Sequence, residues 1–182
     1  MPLAKNSTST LGEMETKDAI YFYGTAGEFG YMSNFYGATF TQDNIIFNCS
    51  EQYYAYRKCM LFNSENKDLV TKILTAATPA KAKYYGRQVK NFTDEAWDKA
   101  RYVVMFEALL LKFSQNADIQ KKLLSTGTKL LYEASPRDKT WGIGMSAAKA
   151  VKLAAAGDKS KFGQNLLGQA LMDVRNWFLT SA

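Results

Sequence analysis

The stretch that decides the fold is Ser50-Glu51-Gln52-Tyr53-Tyr54-Ala55-Tyr56-Arg57-Lys58. Serine is a favoured N-cap residue and no Gly or Pro interrupts the stretch, so it predicts a helix that begins at Glu51 with Ser50 as its cap. Glu51 and Lys58 are two helical turns apart, which places them within roughly 20° of each other on one face. Tyr54 lies on the same face. A carboxylate, a phenol and an amine are therefore predicted to point in one direction.

Two interpretations of this helix face remain open from the spacing alone. The chain contains no histidine, so a Glu, a Tyr and a Lys on one face are the best available groups for proton transfer or nucleophilic attack. In the other interpretation, Glu51 complements the helix dipole and Lys58 is solvated. We adopt the first as the hypothesis, with Glu51 and Lys58 as catalytic candidates and Tyr54 as a substrate contact.

The composition limits the class of protein. The chain has 182 residues, of which 47% are hydrophobic and 14% aromatic, and this is enough to form one domain with a hydrophobic core. Its formal net charge of +6 favours an acidic partner, of which phosphate is the commonest kind. Cys49 and Cys59 form no CxxC motif, and there is no histidine to bind zinc. We therefore predict no metal site and no cofactor.

The N-terminal segment and the cysteine content predict the cellular location. Residues 1–18 are polar and rich in Ser and Thr, without the apolar core of a signal peptide, so we predict a disordered leader followed by a domain over residues 19–182. No stretch approaches about 18 uninterrupted apolar residues, so we expect no membrane partner. Two cysteines in a chain of this length indicate a reducing compartment, the cytoplasm, with the nucleus as the alternative. Nothing in the sequence indicates an oligomeric state.

The order of predicted elements indicates the fold class. A β-type run at Ile20–Tyr23 is followed by a predicted hairpin, with strands at 38–41 and 45–47 joined by Asp43-Asn44. Helices are then predicted at 51–58 and beyond, 63–74, 79–86, 94–114 and 116–124, followed by a strand at 129–134 and a last helix after Gly163. Residues 147–156 fit either a helix or a loose insertion. The pattern predicts an α+β fold, a single mostly helical domain around a small β-sheet.

The longest predicted helix carries an arginine on its apolar stripe. Thr93 is its predicted cap, and apolar residues recur at three- and four-residue steps from Trp97 to Leu111. Arg101 falls on this stripe, so it either binds an anion or an acidic side chain, or it extends its charge from an apolar surface into solvent. We predict Arg87 and Arg101 as phosphate contacts, because a guanidinium group matches phosphate geometry.

Two loop segments offer polar groups for a ligand. Ser33 and Asn34 follow a glycine-containing loop, where their hydroxyl and amide groups bind either a polar ligand or their own turn. The late strand ends in a segment that supplies two carboxylates and a tryptophan ring, which suits a binding site at a strand end. A structural turn with a buried Trp is the alternative there. The candidates in this segment are Glu133, Asp138, Trp141 and Gly142.

Several motifs occur in an order typical of one family. They are Tyr23-Gly24, Ser33-Asn34-Phe35, Ser50-Glu51-Gln52-Tyr53-Tyr54 with Lys58, Lys112-Phe113, Glu133 with Asp138-x-x-Trp141-Gly142-Ile143-Gly144, and Asn165-Leu166-Leu167-Gly168 with Leu171-Met172 and Arg175. From about Ile20 to Phe178 the chain resembles the NADAR family, whose fold is called YbiA-like. Arg57 and Phe162 depart from the family pattern, which usually has glutamine and tryptophan at these positions.

The resemblance implies cleavage of an N-glycosidic bond between a phosphorylated ribose and a nitrogen base. Members of the family act on early riboflavin intermediates, and others remove ADP-ribose from guanine in nucleic acid. By the family motifs, Glu51 is the catalytic carboxylate, Lys58 assists it, and Trp97, Asp138 and Trp141 shape the pocket. The implied partner is a phosphorylated ribosyl or ADP-ribosyl substrate, which includes ADP-ribosylated nucleic acid.

Other roles remain open at this level. The domain can instead be a non-catalytic module that binds ADP-ribose or NAD-type ligands, or a basic nucleic-acid binder that stacks bases on its aromatic residues. Lys58 has two possible roles. As a cation it holds phosphate or protonates the leaving base, and as a neutral amine it attacks C1′ and forms a Schiff base.

Overall fold

The computed structural model describes residues 12–181, which its contacts divide into two compact units. The central unit is Asn34–Gln120. The terminal unit comprises the described residues within Met1–Ser33 and Lys121–Ala182. We predicted one domain over this range, and the two units are the finer division that the structure adds.

The central unit begins with the predicted β-hairpin. Strands β3 (Phe40–Gln42) and β4 (Ile45–Phe47) pair antiparallel, with Phe40 opposite Phe47. The two turn residues, Asp43 and Asn44, have φ angles of 50° and 64°. Asp and Asn tolerate this left-handed conformation, and two such residues in succession give the type I′ turn that matches the twist of a hairpin. The hairpin prediction is confirmed.

Four helices follow the hairpin in the central unit. They are α1 (Ser50–Phe62), α2 (Lys67–Leu74), α3 (Pro79–Gly86) and α4 (Asp94–Ser114). The hydroxyl oxygens of Thr78 and Thr93 accept N–H groups in the first turns of α3 and α4, at 3.2 and 3.1 Å. Both caps are as predicted, and each satisfies an N–H that the helix cannot pair internally.

Two other caps differ from the prediction. Cys49, rather than Ser50, occupies the N-cap position of α1, so Ser50 is the first helical residue. The cap of α2 is Asn66, whose side-chain oxygen accepts the N–H of Leu69 at 3.0 Å. Asn63 was predicted for that role, but its N–H is bonded to the carbonyl of Cys59, so it ends α1 instead of opening α2.

The terminal unit contains a three-stranded sheet in the order β1-β2-β5. Strand β1 (Met14–Glu15) is antiparallel to β2 (Ala19–Phe22), which runs parallel to β5 (Leu130–Glu133). All four residues of β2 are buried, as expected for the central strand of a sheet. Helices α6 (Ala147–Ala155) and α7 (Leu166–Thr180) belong to this unit. Helix α5 (Ala117–Ser125) begins before the boundary between the units and ends after it.

The predicted disordered leader is too long. Residues 1–11 lie outside the described part of the chain, but Met14 and Glu15 pair with β2, and the side chain of Glu13 is buried. The leader prediction is therefore wrong for residues 13–15, because composition does not show that a short polar segment adds a strand to a sheet edge. Residues 147–156, which fitted either a helix or an insertion, form α6.

The small sheets and the seven helices found within residues 12–181 confirm the predicted α+β class. Helices account for most of the regular structure, as predicted. Within the described residues, no helix is both long enough and apolar enough to cross a membrane.

Candidate functional site

Glu51 lies at the N-terminus of α1, where the backbone holds it against a neighbouring loop. The N–H of Glu51 donates to the carbonyl oxygen of Asn34 at 3.1 Å, and the side chains of both residues are at least nine-tenths buried. Unpaired N–H groups give a helix N-terminus a partial positive charge, which favours a carboxylate there. A buried carboxylate at this position is well placed to stabilise positive charge that develops on a substrate.

Gln52 fixes the first turn of α1 to its surroundings. Its side-chain oxygen accepts the N–H of Asn48 at 2.8 Å, and its amide nitrogen donates to the carbonyls of Ile73 and Leu74 at 3.1 and 2.9 Å. The last two carbonyls belong to the end of α2, where the helix leaves carbonyl groups without internal partners. Gln52 is thus a structural brace, and all of its hydrogen-bonding directions point at backbone.

A cavity of about 350 Å³ opens beside this turn. Its wall combines the beginning of α1 with the beginning of α3, and it includes Phe35, Asn48, Cys49, Gln52, Thr78 and Pro79. An aromatic ring together with a few fixed polar groups is typical of small-molecule sites. All of these residues belong to the central unit.

Lys58 lies over aromatic rings at the other end of the same helix face. Its Nζ is 3.5 Å from the ring centre of Phe92 and 5.5 Å from that of Trp97, and Tyr54 packs on Trp97 with ring centres 4.9 Å apart. Burial lowers the pKa of Lys58, and the carboxylate of Asp94 opposes that shift. Contact with aromatic faces favours an ammonium cation. The geometry therefore favours the charged form of Lys58.

The two predicted phosphate ligands lie in different surroundings. Arg87 is exposed and occupies the C-cap position of α3. Arg101 forms an ion pair with Asp98, 2.9 Å away and one turn earlier on α4. That ion pair accounts for Arg101 on the apolar stripe without a ligand. Both residues stay predictions as phosphate contacts.

In the terminal unit, Asp138 organises the loop that follows β5. Its side-chain oxygen accepts the N–H groups of Thr140 and Trp141 at 2.9 and 2.8 Å, which is an Asx-turn. A Cβ on Gly142 would lie only 2.7 Å from the carbonyl oxygen of Glu133. Glycine is therefore required at residue 142, because the loop returns against the strand that it has just left.

Asn165 joins this loop to β5. It has a φ angle of 54°, and its N–H donates to the carbonyl of Gly142 at 3.2 Å. Its side-chain oxygen accepts the N–H of Glu133 at 3.0 Å, and its side-chain nitrogen donates to the carbonyl of Leu131 at 2.9 Å. One buried amide thus fixes the end of β5 and the loop that carries Trp141.

We expect Asn165→Ala to lower the free energy of unfolding by about 2–4 kcal/mol. The change leaves a buried N–H and a buried C=O without partners, which costs about 1–3 kcal/mol for each group. It also places alanine in the left-handed region, where asparagine is better tolerated. Urea denaturation measures the loss. Asn176→Ala, at an exposed position of α7, is the matched control, and equal effects of the two changes would contradict this account of Asn165.

Comparison with known proteins identifies the family. The NADAR domain matches residues 21–179, which is most of the chain. This protein belongs to the NADAR family. The family match includes both units and every predicted site residue, so the resemblance of the ordered motifs is confirmed.

Three named relatives and one solved structure are similar to this NADAR chain. N-glycosidase R617 of Acanthamoeba polyphaga mimivirus is 43% identical, with 69% of this chain and 71% of that protein covered. N-glycosidase Npun_R5314 of Nostoc punctiforme is 35% identical, with 86% and 90% covered. Riboflavin biosynthesis protein VVA0006 of Vibrio vulnificus is 32% identical over 86% of this chain, but over only 37% of its own length. The NMR structure of the E. coli protein YbiA superposes with a TM-score of 0.72, at 26% identity and 94% and 91% coverage.

The predicted site residues of this NADAR domain fall into two sets, one in each unit. Within the central unit, Asn34 is hydrogen-bonded to Glu51, and Lys58, Tyr54 and Trp97 form one aromatic and cationic cluster. The terminal unit holds the other set, which comprises Ser33, Glu133, Asp138, Trp141 and Gly142. No group of His, Cys, Asp or Glu side chains within residues 12–181 is arranged to hold a metal ion.

Lys112 of the NADAR domain is the residue that the sequence interpretation missed as a site candidate. Its side chain is completely buried in α4, and burial lowers its pKa to about 7. A signal was present in the sequence. Lys112 follows Met105, Ala108 and Leu109 at spacings of seven, four and three residues, so it falls on the buried stripe of the helix.

Proposed function

We propose that this NADAR protein is a hydrolase that cleaves the N-glycosidic bond between a phosphorylated ribose and a base. Relatives at 35 and 43% identity are named N-glycosidases, so the chain is an enzyme that acts on N-glycosyl bonds. The observation that carries the proposed mechanism is the buried Glu51 carboxylate at the N-terminus of α1, hydrogen-bonded through its backbone to Asn34.

The chemistry of the bond explains why a buried carboxylate is required. Breaking a C1′–N bond creates oxocarbenium character on the ribose, and a nearby carboxylate stabilises that positive charge and orients water. Glu51 is proposed for this role. The leaving base needs a proton or a hydrogen-bond donor, and an ammonium group that is held over aromatic rings, as Lys58 is, can supply it or bind phosphate.

Two substrate classes fit this mechanism. The first is a phosphoribosylated pyrimidine from riboflavin biosynthesis, which is supported by the relative named for that pathway. The second is ADP-ribosylated guanine in nucleic acid, for which the net charge of +6 offers general attraction to phosphate. In both proposals the sugar is a phosphorylated ribose, the reaction needs no metal ion, and the enzyme works in the cytoplasm or, for nucleic acid, in the nucleus.

A comparison of kcat/KM on the two substrates decides between them. Each substrate is incubated with the enzyme and a chelator, and free base and free sugar are quantified by mass spectrometry. Preferential release of base from the pyrimidine assigns the enzyme to metabolite clearance, and release of ADP-ribose from the oligonucleotide assigns it to reversal of ADP-ribosylation. Recovery of both ligands unchanged but bound would overturn the hydrolase and favour a binding module.

A further inference from the structure

A second lysine of the central unit differs from Lys58 in its surroundings. Lys112 is completely buried, with its Nζ 5.2 Å from the ring centre of Phe113 and 5.5 Å from that of Tyr36. Lys58 is only partly buried, and its amine lies 3.5 Å above the Phe92 ring. Close contact with that ring face stabilises the ammonium form of Lys58, whereas full burial disfavours the charged form of Lys112.

Lys112 is also close to the N-terminus of α1. Burial lowers the pKa of its amine to about 7, and the Cys49 thiol is the nearby titratable group that acts against this shift. The charge of Glu51 acts on the same thiol, whose pKa is raised mainly by burial. Lys112, Cys49 and Glu51 thus form one cluster of titratable groups. At neutral pH a large fraction of the Lys112 amine is neutral, which is the form that acts as a nucleophile.

Two buried acceptor atoms lie in the chain segments that adjoin this amine. The side-chain oxygens of Asn34 and Ser50 are buried and have no hydrogen-bond partner among the described residues. Asn34 precedes Tyr36 by two residues, and Ser50 directly follows Cys49. A buried polar atom normally has a partner, so an unsatisfied pair in one region indicates a place for a ligand. The hydroxyl groups of a ribose can donate to both atoms.

We propose that Lys112 is the nucleophile of the reaction and forms a covalent imine with C1′ of the ribosyl substrate, whose hydroxyl groups bind Asn34 and Ser50. This rests on the proposed N-glycosidase function. Glu51 stabilises positive charge on the sugar, and Lys58 remains the cation. Cys49 lines the 350 Å³ cavity and adjoins the Lys112 amine, so the sugar enters from the cavity by displacing the Cys49 side chain.

The electrons and protons balance without an oxidant or a reductant. The Nζ lone pair bonds to C1′ as the C1′–N bond breaks, and the base leaves with that electron pair and takes a proton. Nζ then releases a proton and its remaining lone pair expels O4′, which is protonated as the ring opens and the C1′=N imine forms. Water adds to C1′ and Nζ departs, so the sugar is released as an aldehyde and the amine is restored. The net reaction consumes one water per bond.

Reductive trapping tests this assignment. The full chain is incubated with ribose 5-phosphate and cyanoborohydride, which reduces an imine to a stable secondary amine, and the modified peptides are located by mass spectrometry. We expect the adduct to form on Lys112 at least tenfold faster than on Lys58 or on the exposed Lys99. Lys112→Arg should abolish the fast adduct and turnover while retaining the fold, and Lys58→Arg should retain the adduct.

The outcomes separate this inference from the proposed function. Adduct formation on Lys112 from ribose 5-phosphate supports the inference even where neither nucleoside substrate is cleaved, which would overturn only the substrate assignment. Fast trapping on Lys58 would overturn the inference and leave the N-glycosidase intact. So would rapid turnover by Lys112→Arg, because arginine cannot form the imine.

Discussion

Glu51→Gln is expected to lower kcat by about a thousandfold while substrate binding is retained. Groups that act in proton transfer typically contribute factors of about 10² to 10⁴. Glutamine has nearly the same shape as glutamate, so the hydrogen bond from the backbone of residue 51 to Asn34 is preserved. It lacks the negative charge that stabilises an oxocarbenium-like transition state. Steady-state kinetics gives kcat, and calorimetric titration gives substrate affinity.

A matched carboxylate separates this effect from a general loss of charge. Glu95 lies on the surface of α4, where its side chain is 79% exposed and pairs with Lys99. Such surface pairs contribute little to stability, so Glu95→Gln should retain wild-type turnover and unfolding. If Glu51→Gln retained full activity, Glu51 would not be the catalytic carboxylate.

Lys112→Met is expected to change how stability depends on pH. The folded state holds the pKa of Lys112 at about 7, well below its ordinary value of 10.5, so the unfolded state binds more protons between these two values. The free energy of unfolding of the wild type therefore rises with pH above 7, by about 1.4 kcal/mol per pH unit relative to the variant. Below pH 7 the difference between the two proteins should be constant.

Urea denaturation of both proteins at pH 6, 7, 8 and 9 measures this slope. Lys99→Met, at a side chain that is 74% exposed, controls for the loss of one surface charge. A difference between wild type and Lys112→Met that stayed the same from pH 6 to pH 9 would show that the buried amine remains charged in the folded protein. It would also remove the chemical basis for attack by Lys112.

Local sequence signals predicted much of the fold. The Asp43-Asn44 turn, the Thr93 cap and the threefold and fourfold spacing of apolar residues each have a short-range physical cause, so the hairpin and the bounds of α4 follow from the sequence. Strand β1 could not be predicted in the same way. Met14 and Glu15 are strand residues only because β2 offers them an edge, and such pairing depends on the folded context.

The candidate site was predictable in its residue types more than in its environments. The position of Glu51 on a helix followed from the local pattern, and its motif added the catalytic role. Whether a lysine is neutral depends on burial and on neighbours from distant parts of the chain, such as Tyr36 beside Lys112. Spacing on one helix therefore selected Lys58, whereas the three-dimensional structure distinguishes the two amines.

The central claim is that this NADAR protein hydrolyses an N-glycosidic bond with Glu51 as the essential carboxylate. Its most direct test is mass spectrometry of the products formed by wild type and by Glu51→Gln from the phosphoribosylated pyrimidine and the ADP-ribosylated guanine oligonucleotide, in the presence of a chelator. We predict equimolar free base and free sugar from at least one substrate with the wild type, and intact substrate with the variant. Unchanged substrates with both proteins, or equal cleavage by both, would contradict the claim.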